Sequence, residues 1–228
     1  MLGALVLAAA AAAPPKPLRH LEFSFHYAGT TESISHYSGI ETVLPGVGTT
    51  FSSGGYDGKI YVDVLGAGQN DTLVLAIRQE VPLSHSLDVP PGQLLVFPTG
   101  QVDLPPNATP LRQPELNLAR FLGRKFINGD YLDEKNHWRI DFGLPDKSTV
   151  ATDFTITKNN GGILDITEAQ KVVSAMGGMQ TDGRITYDMN RTVPLSIHEQ
   201  SGGMGSNAGL RFTYDYTLIA DSLAPPKR

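Results

Sequence analysis

The sequence predicts a mainly β chain: a single antiparallel curled sheet, built as a half-barrel, barrel or sandwich, with one short helix. Three observations point there. From Leu21 onward apolar side chains recur at every second position, and clusters of Gly, Pro, Asn and Asp separate the runs. Only two stretches compete as helices. Runs with one apolar face and short turn-rich links are the pattern of antiparallel sheets packed on one side.

Leu2 to Ala13 is an unbroken run of small and apolar residues, followed by Pro14, Pro15 and Pro17. About a dozen residues fall short of the ~20 that a helix needs to cross a ~30 Å hydrocarbon core. The run fits a signal-peptide core with Ala-x-Ala cleavage options near Ala10 to Ala13, although no Lys or Arg precedes it. No Cys follows, so lipid attachment at a lipobox is excluded. The expected organisation is residues 1–12 as signal peptide, 13–20 as a Pro-rich leader, 21–222 as one β-rich domain and 223–228 as a tail. The expected location is outside the cytoplasm, periplasmic or extracellular.

Leu21, Phe23, Phe25 and Tyr27 share one face of a first strand. Ile60, Val62 and Val64 share a face of the second, and Gly66 to Asp71 has hairpin composition leading to Leu73, Leu75 and Ile77. Pro114 to Gly123 reads as the short helix, with Pro near its first position, Glu115 in the first turn and Gly123 at its C-terminal end. Trp138, Ile140 and Phe142 alternate next, then Phe154 and Ile156. Thr167 to Gln170 matches a capping box, but Ile163, Leu164, Ile166 and the Val172-Val173 pair favour a strand. Ile185, Tyr187 and Met189, then Leu195 and Ile197, then Phe212, Tyr214, Tyr216 and Leu218 complete the pattern. The Pro-rich stretches at 89–91 and 104–114 read as a long surface connection inside one domain.

Asp57 to Val64 echoes Asp182 to Met189, each followed by an apolar strand. The echo fits a duplicated β-meander half or, equally, common Asp-Gly hairpin chemistry. Asn-x-Ser/Thr sequons at Asn70, Asn107 and Asn190 barely exceed chance.

With 18 Lys+Arg against 23 Asp+Glu and no basic run, the chain lacks the charge footprint of a nucleic-acid binder. Zero Cys removes disulfides, thiolate metal sites and Cys nucleophiles. The six His show no His-x3-His or His-Glu-x-x-His spacing, and His26, His137 and His198 fall on polar strand faces. No Gly-x-Ser-x-Gly, Walker A or Ser-x-x-Lys motif occurs. Gly202 to Gly209 precedes a strand instead of a helix, so it reads as a hairpin loop and not as a phosphate cradle. Asp130, Asp133 and Glu134 read as a turn before the Trp138 strand. No catalytic residue, metal ligand or cofactor is expected.

The remaining signal is apolar. Phe121, Leu122 and Phe126, with Trp138, gather around the helix and its exit. The plainer reading is a helix that plugs the sheet and completes the core. The sharper one is a lid over an apolar cavity, with these four side chains binding the ligand. This layout of leader, Cys-free antiparallel sheet and short lid helix is similar to the periplasmic lipoprotein-carrier half-barrels, an architectural resemblance that transfers no residue roles. The functional expectation is a non-enzymatic exported protein binding an apolar small molecule or lipid. The alternative is a structural or interaction module that docks another envelope protein through sheet edges.

Overall fold

The alternation that starts at Leu21 becomes the first of eleven strands among the described residues. A computed structural model describes residues 16–37, 46–80, 92–104, 111, 113–123, 126–127, 136–143, 148–174, 177–204 and 209–223. In chain order these form β1 (Arg19–Tyr37), β2 (Gly46–Ala67), β3 (Leu73–Glu80), β4 (Gly92–Val96) and β5 (Val102–Asp103). Helix α1 (Gln113–Arg120) follows, then β6 (His137–Gly143), β7 (Thr149–Asn160), β8 (Ile163–Ser174), β9 (Gly177–Asp188), β10 (Val193–Met204) and β11 (Leu210–Asp221).

All strands belong to one antiparallel sheet in the order β5-β4-β3-β2-β1-β11-β10-β9-β8-β7-β6. Two meanders, β1 to β5 and β6 to β11, therefore meet along β1 and β11, and β5 and β6 are the two edges. The sheet is not closed into a barrel. The link between the edges carries α1 across one face. The helix packs on β3 and β5, while Arg120 at its end reaches Glu168 on β8 and Glu199 on β10. One short helix touching both halves requires the sheet to curl around it.

The concave face carries the core. Leu21, Phe23 and Phe25 of β1 are buried, as are Ile60 and Val62 of β2 and Leu73, Leu75 and Ile77 of β3. The opposite half contributes Trp138, Phe154, Leu164, Ile166, Ile185 and Ile197, and the helix segment adds Leu118, Ala119, Phe121 and Leu122. Each Val, Leu, Ile or Phe among them contributes roughly 1.5–3 kcal/mol when fully removed from water.

Gly66 to Asp71 makes the expected hairpin, pairing Gly66 with Val74 and Ala67 with Leu73. Its tight turn places Asn70 at φ 55° and Asp71 at φ 61°, the left-handed region that Asn and Asp enter most readily. The stretch around Thr167 is strand, as the β-branched residues favour.

Three local expectations are corrected. The Asp-Gly pairs at 57–58 and 182–183 lie inside β2 and β9 and turn no hairpin. Gly202 and Gly203 belong to β10 and not to a loop, while 205–208 lie outside the described residues. Gly123 stands three residues beyond α1, where a Cβ would meet the Pro98 carbonyl oxygen at 2.5 Å and the Gly100 nitrogen at 2.7 Å. It is there because the chain passes tightly over the β4–β5 turn. The Pro-rich 89–91, most of 104–114, the leader up to 15 and Asp130 to Glu134 also lie outside the described residues.

Candidate functional site

The four side chains singled out from the sequence are all buried. Phe126 sits edge-on to Phe121, Trp138 and Phe154 at centroid distances of 5.4, 5.8 and 5.0 Å, and tilted to Tyr187 at 5.6 Å. Trp138 stacks on Phe154 at 5.0 Å. These five rings pack on one another between α1 and the β6–β9 half of the sheet. Leu122 points elsewhere, toward the end of the sheet where β1 begins.

From Trp138 and Phe154 of the aromatic cluster a row of registered, inward-facing positions runs across the sheet: Trp138, Phe154, Glu168, Gly183, Glu199, Tyr214, Tyr27 and Tyr56. Two fully buried carboxylates thus flank a glycine, and Arg120 descends between them from α1. Its Nη2 donates to Glu168 Oε1 at 2.7 Å and to Glu199 Oε1, and Asn117 Nδ2 donates to Glu199 Oε2 at 3.5 Å. The helix is held at its other end by Tyr216, whose hydroxyl donates to the Pro114 carbonyl at 3.1 Å. Burial pushes the Glu168 carboxyl up to about 8; Arg120 opposes the shift and the Glu199 charge reinforces it. Burial works against the Arg120 charge, but the two carboxylates outweigh it and hold the guanidinium above its usual range.

Sequence reasoning passed over this triad. The signal was present in phase: Glu168 continues the inward series Leu164, Ile166, and Glu199 follows Ile197. A charge at an apolar phase position of a strand needs a buried partner.

At the opposite end of the concave face lies a cavity of about 500 Å³. Leu18, Leu21, Val64, Leu73, Leu122 and Leu223 form its apolar wall, and Arg19, Asn190, Arg191 and Thr192 its polar edge. Leu18 and Leu223 are 63% and 62% exposed, an apolar rim open to solvent. The two arginines are fixed from behind. Arg19 grips Asp221 through Nε at 3.0 Å and Nη2 at 2.8 Å, and its Nη1 donates to the Arg191 carbonyl at 2.8 Å. Arg191 Nε donates to Asp188 at 2.7 Å and its Nη1 to Asp221 at 3.3 Å. Burial raises both aspartates, yet these hydrogen bonds outweigh it and hold them below the usual carboxylate range.

No protein-family model and no curated protein matches the sequence. The fold is similar to a chain in the solved structure "Lipid-protein interactions in lipovitellin". The two are 10% identical with a TM-score of 0.48, over 93% of this chain and 26% of that one, so this chain spans about a quarter of the other's length.

The convex face is polar. Four histidines there pair with aspartates: His20 with Asp63, His26 with Asp57, His137 with Asp153 and His198 with Asp215. They stand in four separate pairs, and among the described residues no three His, Asp or Glu converge to hold a metal ion. Among the described residues no helix is long and apolar enough to cross a membrane.

Proposed function

We propose that this is an exported, non-enzymatic protein that binds an apolar ligand or lipid in the cavity where β1 begins. The observation that carries the reading is the cavity itself. Six aliphatic side chains surround about 500 Å³, within the ~300–1,000 Å³ of small-molecule sites, and two exposed leucines stand at its rim. Leu18 and Leu223 extend the apolar wall of the cavity outward to solvent. Export is supported by the apolar run of Leu2 to Ala13. The alternative of docking through sheet edges is weaker, because edge strand β6 carries the exposed charged pair Arg139 and Asp141, which discourages strand addition.

The test is binding of N-phenyl-1-naphthylamine, a neutral apolar fluorophore, to the purified protein. Saturable binding at one site is expected. Leu18→Glu with Leu223→Glu is expected to abolish it without lowering the melting temperature, since both side chains are already largely exposed. Absence of binding, or binding untouched by the double change, overturns the reading.

A further inference from the structure

Taking the cavity as the ligand site, as proposed above, we infer that its ligand is an amphiphile whose head is an oxyanion, a carboxylate or a phosphate, received by Arg19 and Arg191.

The cavity is two-sided. One wall is aliphatic, and the polar edge is dominated by donors, because a guanidinium has five N–H groups and no acceptor. The acids that balance the two arginines are absent from the lining. Asp221 has 1% of its side chain exposed and Asp188 10%, against 12% for Arg19 and 28% for Arg191. The carboxylates therefore lie behind the guanidinium groups, and an incoming head meets the positive layer first. A cationic head would face that layer with no acidic partner among the described residues of the wall.

The donors are also prepared. Asp221 grips Arg19 with two parallel bonds, and Asp188 accepts from both the backbone N–H of Arg191 at 3.0 Å and its Nε at 2.7 Å. Arg191 Nη2 has no partner among the described residues and lies on the most exposed guanidinium of the group. The adjoining turn holds Thr192 at φ 50°, a costly conformation for a β-branched residue, which the Asp188 bonds to Arg191 help to maintain. A fixed, planar donor pair suits the geometry of carboxylate and phosphate oxygens.

The experiment displaces N-phenyl-1-naphthylamine from the full chain with dodecanoate, dodecyl phosphate, dodecanol and dodecyltrimethylammonium, all below micelle-forming concentrations. At least one anion is expected to compete at about tenfold lower concentration than dodecanol, and the cation no better than dodecanol. Which anion is tighter names the head. In Arg191→Gln the advantage is expected to shrink to about threefold or less with dodecanol unchanged, and Arg191→Lys is expected to keep part of it. If dodecanol competes as well as both anions, or the anion advantage survives Arg191→Gln, the oxyanion inference fails while the apolar-ligand reading stands. If the probe does not bind at all, both fall.

Discussion

Glu168 and Glu199, two strands apart on the concave face, accept hydrogen bonds from the same nitrogen of Arg120. The pair exists because Gly183, registered opposite both, has no side chain to separate them. One cation on the helix thereby ties α1 to two strands that share no edge. Two ionised carboxylates and one guanidinium would leave a net buried charge, and among the described residues Glu168 Oε2 has no hydrogen-bond partner. A proton on Glu168 removes the net charge.

That proton sets a pH dependence. In the folded chain burial lifts Glu168 from 4.5 to about 8, so between those values the folded state holds a proton that the unfolded state has released. Stability contributed by this group is complete below about pH 4.5, falls as pH rises and levels off above about 8. Urea midpoints between pH 5 and 8 are expected to decline in the wild type and to decline less in Glu168→Gln, which keeps a neutral polar side chain. Parallel curves would mean that Glu168 is ionised throughout.

Gly183→Ala tests the geometry of the same triad. A Cβ at this position would lie 2.8 Å from Glu168 Oε2 and 3.1 Å from its Cβ, inside a packed core. Overpacking of this kind costs roughly 1–3 kcal/mol. Chemical denaturation is expected to show that loss, and a double-mutant cycle with Glu168→Ala to recover part of it, because the clash is with that side chain.

The sheet was legible because burial on one face imprints a period of two, and Leu21, Phe23 and Phe25 show it without interruption. The echo of Asp57-Gly with Asp182-Gly was visible but its meaning was not. Both glycines face inward, Gly58 beneath the Phe25 ring and Gly183 between the glutamates, and turn chemistry has no part in either. Convergence could not be read. Glu168, Glu199 and Arg120 meet only once β8, β10 and the helix are arranged, and Arg19 reaches Asp221 across 202 positions. The start of β1 was hidden in a Pro-rich segment whose composition resembles a leader, so the rim residues Leu18 and Arg19 carried no strand signal.

Phe126→Ala separates packing from ligand binding at a position the sequence singled out. Phe126 touches four aromatic rings and lines no part of the cavity at the start of β1. Truncating such a residue costs about 3–5 kcal/mol. Thermal or urea unfolding is expected to register that loss, while the fraction that remains folded binds N-phenyl-1-naphthylamine with unchanged affinity. A large affinity loss in a variant of normal stability would move the ligand to the aromatic cluster.

Asp221 should give the opposite limb of the stability profile. Burial alone would raise it, but Arg19, the Leu223 backbone N–H and Arg191 together hold it below 3.8. A depressed acid contributes stability that is present above its unfolded value and is lost as pH falls through the folded one. Asp221 therefore weakens the fold below about pH 3.8, whereas Glu168 weakens it above about 4.5. Taken together, these two groups place greatest stability near pH 4 to 5, on the acid side of neutrality. Melting temperatures of wild type and of variants at these two positions, compared from pH 2 to 9, are expected to differ in opposite directions on the two sides of that range. Asp221→Asn should cost about 1.5–3 kcal/mol at neutral pH, because Arg19 loses the charged acceptor that grips it beside the cavity, and should make the acid limb shallower without removing it, since Asp188 is depressed as well. Glu168→Gln should flatten only the alkaline limb, so a variant that flattened both would show that the two ends of the concave face are coupled.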